Sequence, residues 1–174
     1  MDRTPRIVAE LPPEVEDVFE EFRTCEMSTL AKDGTPITWP TLPCWYSDER
    51  RFTITTSIGL AQKALNVRRN PRFSLLFSNP TASGLENPPA VLVQGPAEAP
   101  DEIETSVVGF ESELRKVYLR QPASRMYGND PLTRYLMDWY FMRLMIYVTP
   151  HRILWWPGAN FWRQPFELRM DDVG

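Results

Sequence analysis

The chain reads as a mainly β protein: a small antiparallel barrel with helices on its outside. Short runs of alternating apolar and polar residues recur between Cys25 and Trp156, and turn residues such as Asp33-Gly34 and Asn70-Pro71 punctuate them. Stretches of helical period interrupt the alternation, one of them as a long crossover, which is the pattern of a closed sheet flanked by helices. At 174 residues with 43% hydrophobic and 24% charged content, the chain fits one domain with a proper core. That domain spans 1–174, with residues 1–23 as a loose leader and N-terminal helix and 157–174 as an irregular aromatic tail.

Composition also sets exclusions. The net charge of -4 argues against a nucleic-acid or anionic-membrane surface, so any anion site must be local. No apolar run reaches the roughly 20 residues of a membrane span, and the N-terminal residues lack the apolar core of a signal peptide, so a cytoplasmic location is expected. Cys25, Cys44 and the single His151 lack the number and spacing of a zinc site; no metal is expected, and both cysteines read as buried free thiols. Seventeen prolines mark many short elements, and the 12% aromatic content, six tryptophans included, points to a broad apolar interface or a stacking pocket.

The elements follow in order. Val15, Val18, Phe19 and Phe22 recur at helical spacing among acidic residues, giving an amphipathic helix from Pro12. Residues 25–31 alternate into Asp33-Gly34, whose positive φ suits a hairpin turn. The next strand, Ile37 to Tyr46, contains Pro40 and Pro43, which cannot donate to a ladder, so it is an edge or interrupted strand. It is either an irregular edge or a broken one exposing backbone to a flat ligand. Phe52 to Thr56 form a third strand, and a helix follows with Ser57 near its N-cap, Leu60, Ala64 and Val67 on one face and Lys63, Asn66 and Asn70 on another.

Amides at that helix start, with hydroxyls from Thr55, Thr56 and Ser57, form a cradle for an anion, whereas Arg68 and Arg69 occupy a helix C-terminus where cations are favoured anyway. A lone surface lysine beside a threonine-rich strand also needs no ligand. Asn70-Pro71 ends the helix. Residues 73–78 form a fourth strand and Ala90 to Ala97 a fifth. Gln94, in the centre of the fifth, either satisfies a neighbour or reads a ligand, and the neighbour is the expected reading until a pocket is in view. A helix is expected from Pro100 to about Leu119, another from Pro131 to Asp138, and two strands at Tyr140 to Val148 and Arg152 to Trp156.

Four motifs in order, Ser28 to Pro36 (STLAKDGTP), Phe52 to Gly59 (FTITTSIG), Lys63 to Leu76 (KALNVRRNPRFSLL) and Val91 to Glu98 (VLVQGPAE), resemble the flavin-binding split-barrel superfamily. That superfamily includes pyridoxamine 5'-phosphate oxidase and the flavin- or deazaflavin-dependent reductases, and the resemblance covers about residues 14–156. It implies a split β-barrel homodimer with two flavin mononucleotide (FMN) sites at the subunit interface. It further implies that Lys63 contacts the cofactor phosphate with Thr56 and Ser57 assisting, that the backbone around Pro43, Cys44 and Trp45 runs along the ring edge, and that Gln94 reaches the cofactor. Trp155 or Trp156 would close the pocket from the partner chain. Two departures stand out: residues 36–49 contain no lysine or arginine, and Gln62 stands where pyridoxamine 5'-phosphate oxidase has arginine before the lysine. Glutamine cannot supply arginine's bidentate fork, so vitamin B6 synthesis is not the expected activity.

The function expected is flavin-dependent hydride transfer to a small substrate stacked near Trp39 or Trp45; no hydrolase triad is visible. A reductase using deazaflavin F420 is the first alternative, because the spacing of Lys63 and Asn66 also resembles those enzymes; it would call on Arg68, Arg69 and Arg72. A non-catalytic flavin or haem binder is the second, with His151 as the haem ligand.

Overall fold

The computed structural model describes residues 4–104 and 142–170. Helix α1 (Pro13–Glu21) buries Val15, Val18 and Phe19, the face its spacing predicts. Strands β2 (Cys25–Leu30) and β3 (Pro36–Thr41) form a hairpin through Gly34, at φ 85°. The stretch expected as one strand from Ile37 to Tyr46 is two. After Thr41 the chain leaves β2, and β4 (Cys44–Tyr46) pairs instead with β5 (Arg51–Ser57). Proline explains the break: at Pro43 the chain has no amide for a ladder and moves between sheets.

Helix α2 (Gln62–Arg69) leads through Asn70 into β6 (Arg72–Phe77), and β7 (Ala90–Glu98) pairs antiparallel with β6. β8 (Arg143–Val148) and β9 (Arg152–Trp156) form the closing hairpin. The expected strand start at Tyr140 and the helices over 105–141 lie outside the described residues. Of the helix expected from Pro100, residues 100–104 are described and are not helical; Glu104 instead bridges Arg143.

The split of the barrel lies on β7. Its first part pairs with β9, from Ala90↔Trp156 to Gln94↔Arg152, and its last two residues pair with β8, as Ala97↔Val148 and Glu98↔Tyr147. Gly95 sits at the switch, where the amides of Thr149 and His151 reach the carbonyls of Pro96 and Gln94. A Cβ there would lie 2.1 Å from the Thr149 carbonyl oxygen, so only glycine lets the two strands approach this closely.

Two segments expected to be irregular carry strands. Arg6–Ile7 (β1) pairs in parallel with β10 (Phe166–Arg169), which in turn pairs antiparallel with β9. Both are short, and β1 is exposed, so neither carries the alternating pattern that reveals a strand. Between Phe166 and Arg169, Glu167 is 1% exposed and Leu168 joins the core. The Glu167 carboxylate accepts hydrogen bonds from Arg152 (3.0 Å) and Arg169 (2.8 Å).

Those bonds, Arg152 first, hold the Glu167 carboxyl below the usual glutamate range. A carboxylate with a depressed folded pKa stabilises the fold above its unfolded value, roughly 4.3, and that contribution is lost as pH falls toward the folded value. Both arginines are partly exposed, so solvent screens the pair, and Glu167→Gln is expected to cost about 1 kcal/mol at pH 7. Urea unfolding at pH 7 and pH 3.5 checks this: the gap between wild type and variant should narrow at the lower pH.

Inside the barrel Phe19, Trp45, Phe52 and Phe77 make one aromatic cluster, with centroids 4.6–5.9 Å apart. It fastens α1 to β4, β5 and β6. Among the described residues, no helix is long and apolar enough to cross a membrane, and no group of three or more histidine, cysteine or acidic side chains is arranged to hold a metal ion.

Candidate functional site

The last turn of β5 is where the chain's hydroxyls, one lysine and one arginine converge. In the β5–β8 ladder Thr55 faces Met145, Thr56 faces Leu144 and Ser57 faces Arg143. Past Ser57 the chain does not enter α2 directly. Ile58–Leu60 form a single 3-10 turn capped by the Ser57 hydroxyl, which accepts from the Gly59 amide at 3.3 Å, and α2 starts after Ala61. The predicted N-cap thus caps the 3-10 turn and not the α-helix. The Thr56 hydroxyl donates to the Leu60 carbonyl at 3.0 Å, and both Thr56 and Ser57 are buried. These bonds shape the turn, while Thr55 stays half-buried.

Lys63, the second residue of α2, is half-buried. Burial pulls its ammonium below the ordinary lysine value, and the neighbouring Arg143 guanidinium pulls it the same way. No carboxylate among the described residues pairs with Lys63. Two cations held together in a partly desolvated place raise each other's energy, and an anion between them reverses that sign.

Asn66, expected on one helix face with Lys63 and Asn70, turns inward. It is fully buried; its Nδ2 donates to the Thr29 hydroxyl at 3.0 Å, and its Oδ1 accepts from Gln62 at 2.7 Å and from Arg69. The residue is a strut between α2 and β2, because four positions separate it from Gln62 and three from Arg69 on adjacent turns of the helix. Arg68 is likewise engaged in structure, donating to the carbonyls of Ala99 and Pro100 and pairing with Asp101 at 2.9 Å.

The other predicted positions stand apart from this corner. Pro43 is buried, and Cys44 and Trp45 are half-buried on β4, beside Thr53 and Phe52. Thr53 lies four residues before Ser57, roughly 13 Å along the strand at ~3.3 Å per residue. Cys25 is buried as expected, and burial, with a smaller push from Glu26, raises its thiol well above the ordinary value; Cys44 is only partly covered. The Trp45 ring is spent in the aromatic cluster, although Trp45 also lines a crevice of about 490 Å³ with Arg50 and Met170. Trp155 is 3% exposed and stacks on Phe166 of the same chain, so it packs its own core; Trp156 is half-buried beside Phe161. Trp39 is half-buried on β3.

Gln94 satisfies a neighbour: its Oε1 accepts from Arg152 at 3.2 Å. It also lines an open cleft of about 460 Å³ with Arg72, Phe73 and His151. This cleft is on the outer face of β7, since Val93 beside it points into the core. Sequence reasoning missed Arg143 and Arg152, because only the strand register brings them to Ser57 and Gln94.

Comparison with known proteins agrees on the architecture. The profile of the family described as "Pyridoxamine 5'-phosphate oxidase" matches residues 11–154. Among solved structures, a protein from Clostridium acetobutylicum related to general stress protein 26 superposes with a TM-score of 0.59 at 10% identity, covering 92% of this chain and 95% of that one. An F420 reductase gives 0.56 at 22% identity, covering 82% and 98%. A heme binding protein from Mycobacterium smegmatis gives 0.56 at 15% identity, covering 95% of this chain and 61% of that one. No curated protein matches the chain significantly. Such low identities support the fold alone.

Proposed function

This chain belongs to the pyridoxamine 5'-phosphate oxidase family, and on that premise we propose that it is an FMN-binding oxidoreductase passing hydride between the flavin and a small organic substrate in the cytoplasm. The observation that carries the reading is the half-buried Lys63 beside Arg143, with no carboxylate on the lysine among the described residues, at the turn that Thr56 and Ser57 shape. A cofactor phosphate is the anion that corner fits. Pro43, Cys44 and Trp45, one strand-length away along β5, would then meet the ring end.

Bound flavin supplies the redox chemistry; the protein's part is to hold and orient it. Gln94 sits on the outer face of the sheet, away from the core side on which Thr29 and α2 meet, so one protomer does not gather all the predicted contacts. A homodimer with the cofactor between subunits would bring such a position to its partner's site. Gln62, which hydrogen-bonds Asn66, and the absence of basic residues over 36–49 speak against pyridoxamine phosphate as the substrate. Arg68 and Arg69 are tied to Asp101 and Asn66, which leaves fewer cations for the longer anionic tail of F420.

The test is the absorption spectrum of protein as purified, with mass spectrometry of whatever denaturation releases. A yellow protein that bleaches with reductant and releases FMN is the expected result. Colourless protein that ignores added FMN defeats the proposal, and a Soret band lost in His151→Ala would replace it with haem binding.

A further inference from the structure

The resemblance places one cation, Lys63, at the cofactor phosphate, and the first turn of α2 offers no other: Gln62, Ala64 and Leu65 are uncharged. A terminal phosphate monoester carries about -1.5 to -2 at neutral pH, so one ammonium leaves it half-neutralised. The strand register supplies the remainder. Arg143 opens β8 directly across from Ser57, and cross-strand partners project their side chains on the same side of a sheet with Cβ atoms about 5 Å apart.

Its backbone is held from both sides. Arg143 exchanges both amide–carbonyl hydrogen bonds with Glu104, at 2.8 and 2.9 Å, and the Ile58 amide donates to the Met142 carbonyl at 3.2 Å. The same 3-10 turn that positions Ser57 therefore also positions the start of β8. α2 packs against β8 and sets Lys63 close enough for the two cations to feel each other. The arginine at this corner offers a fork that matches two phosphate oxygens, which lysine does not.

We propose that Arg143 is a second phosphate ligand, and that with Lys63 it makes the corner select cofactors ending in a phosphate monoester over those ending in a hydroxyl or a singly charged diester. This rests on the FMN reading above, and the experiment separates the two. Titration calorimetry at low salt compares FMN, riboflavin and inorganic phosphate on wild type, Arg143→Gln and Arg143→Lys, with a thermal melt of each variant to establish that it folds.

FMN affinity is expected to fall at least about tenfold in Arg143→Gln and severalfold in Arg143→Lys, while riboflavin affinity stays within about twofold in both. An FMN affinity unchanged in Arg143→Gln overturns the proposal, as does an equal loss for FMN and riboflavin, which would mark a general structural role. Should Arg143→Gln not fold, Arg143→Lys decides by the same comparison. Should wild type take neither flavin, the FMN reading fails, and the phosphate arm decides this one: phosphate binding weakened in the variant supports it, and binding that is absent or unchanged overturns it.

Discussion

Replacing Lys63 with alanine is expected to weaken FMN binding by roughly 30- to 100-fold without destabilising the protein. Loss of one charge-assisted contact to a phosphate is worth about 2–3 kcal/mol, and 1.4 kcal/mol is a factor of ten. The stability half of the prediction follows from the sign of the pKa shift. Burial, and then Arg143, push the Lys63 pKa below its unfolded value, so the charged lysine costs the empty fold stability at neutral pH. That cost fades as pH rises through the folded value. Lys63→Ala removes it, so the cofactor-free variant should melt no lower than wild type. Fluorescence titration with FMN and a thermal melt of the stripped protein measure both halves. Unchanged affinity, or a loss of affinity accompanied by a large drop in melting temperature, would remove Lys63 from the site.

Gly95→Ala should destabilise the barrel strongly. The added Cβ would sit 2.1 Å from the Thr149 carbonyl oxygen and 3.0 Å from the His151 amide nitrogen, and both are backbone atoms that no rotamer change can move. Relief requires parting β7 from the β8–β9 turn, which breaks the bonds from Thr149 to Pro96 and from His151 to Gln94. Overpacking of this kind costs about 3 kcal/mol, and for a chain of this size the melting temperature should fall by about 10 °C. Alanine at Gly34 is a useful contrast, because nothing lies within 4 Å and only the positive φ opposes it. A Gly95→Ala protein as stable as wild type would mean that the strands do not meet as described.

Lys63 and Asn66 are where helical position and tertiary contact differ most. Lys63 is a surface lysine by its place in the helix, yet it is half-buried, because the 3-10 turn after Ser57 swings the start of α2 against β8. Asn66 goes further in the same direction. It lies one helical turn from Lys63 in sequence, but α2 packs against β2, β7 and β8 and its buried side includes Asn66, with Thr29 waiting to receive its amide. Helical spacing tells which residues share a face; what lies opposite that face is a matter of tertiary contact.

The local elements were legible from the order of residues alone. Alternation placed β2, β5, β6, β7 and β9 to within about a residue or two, Asp33-Gly34 marked the hairpin, the apolar spacing set the buried face of α1, and the prolines announced that the second strand would break. Each of these depends on neighbours within a few residues, where period and backbone restriction act. Which strands pair was not local. The division of β7 between β8 and β9, the parallel union of β1 with β10, and the meeting of Ser57 with Arg143 join residues far apart in the chain. No periodicity encodes such pairings, because they follow from closing a sheet on itself, where Gly95 lets β7 pass from β9 to β8.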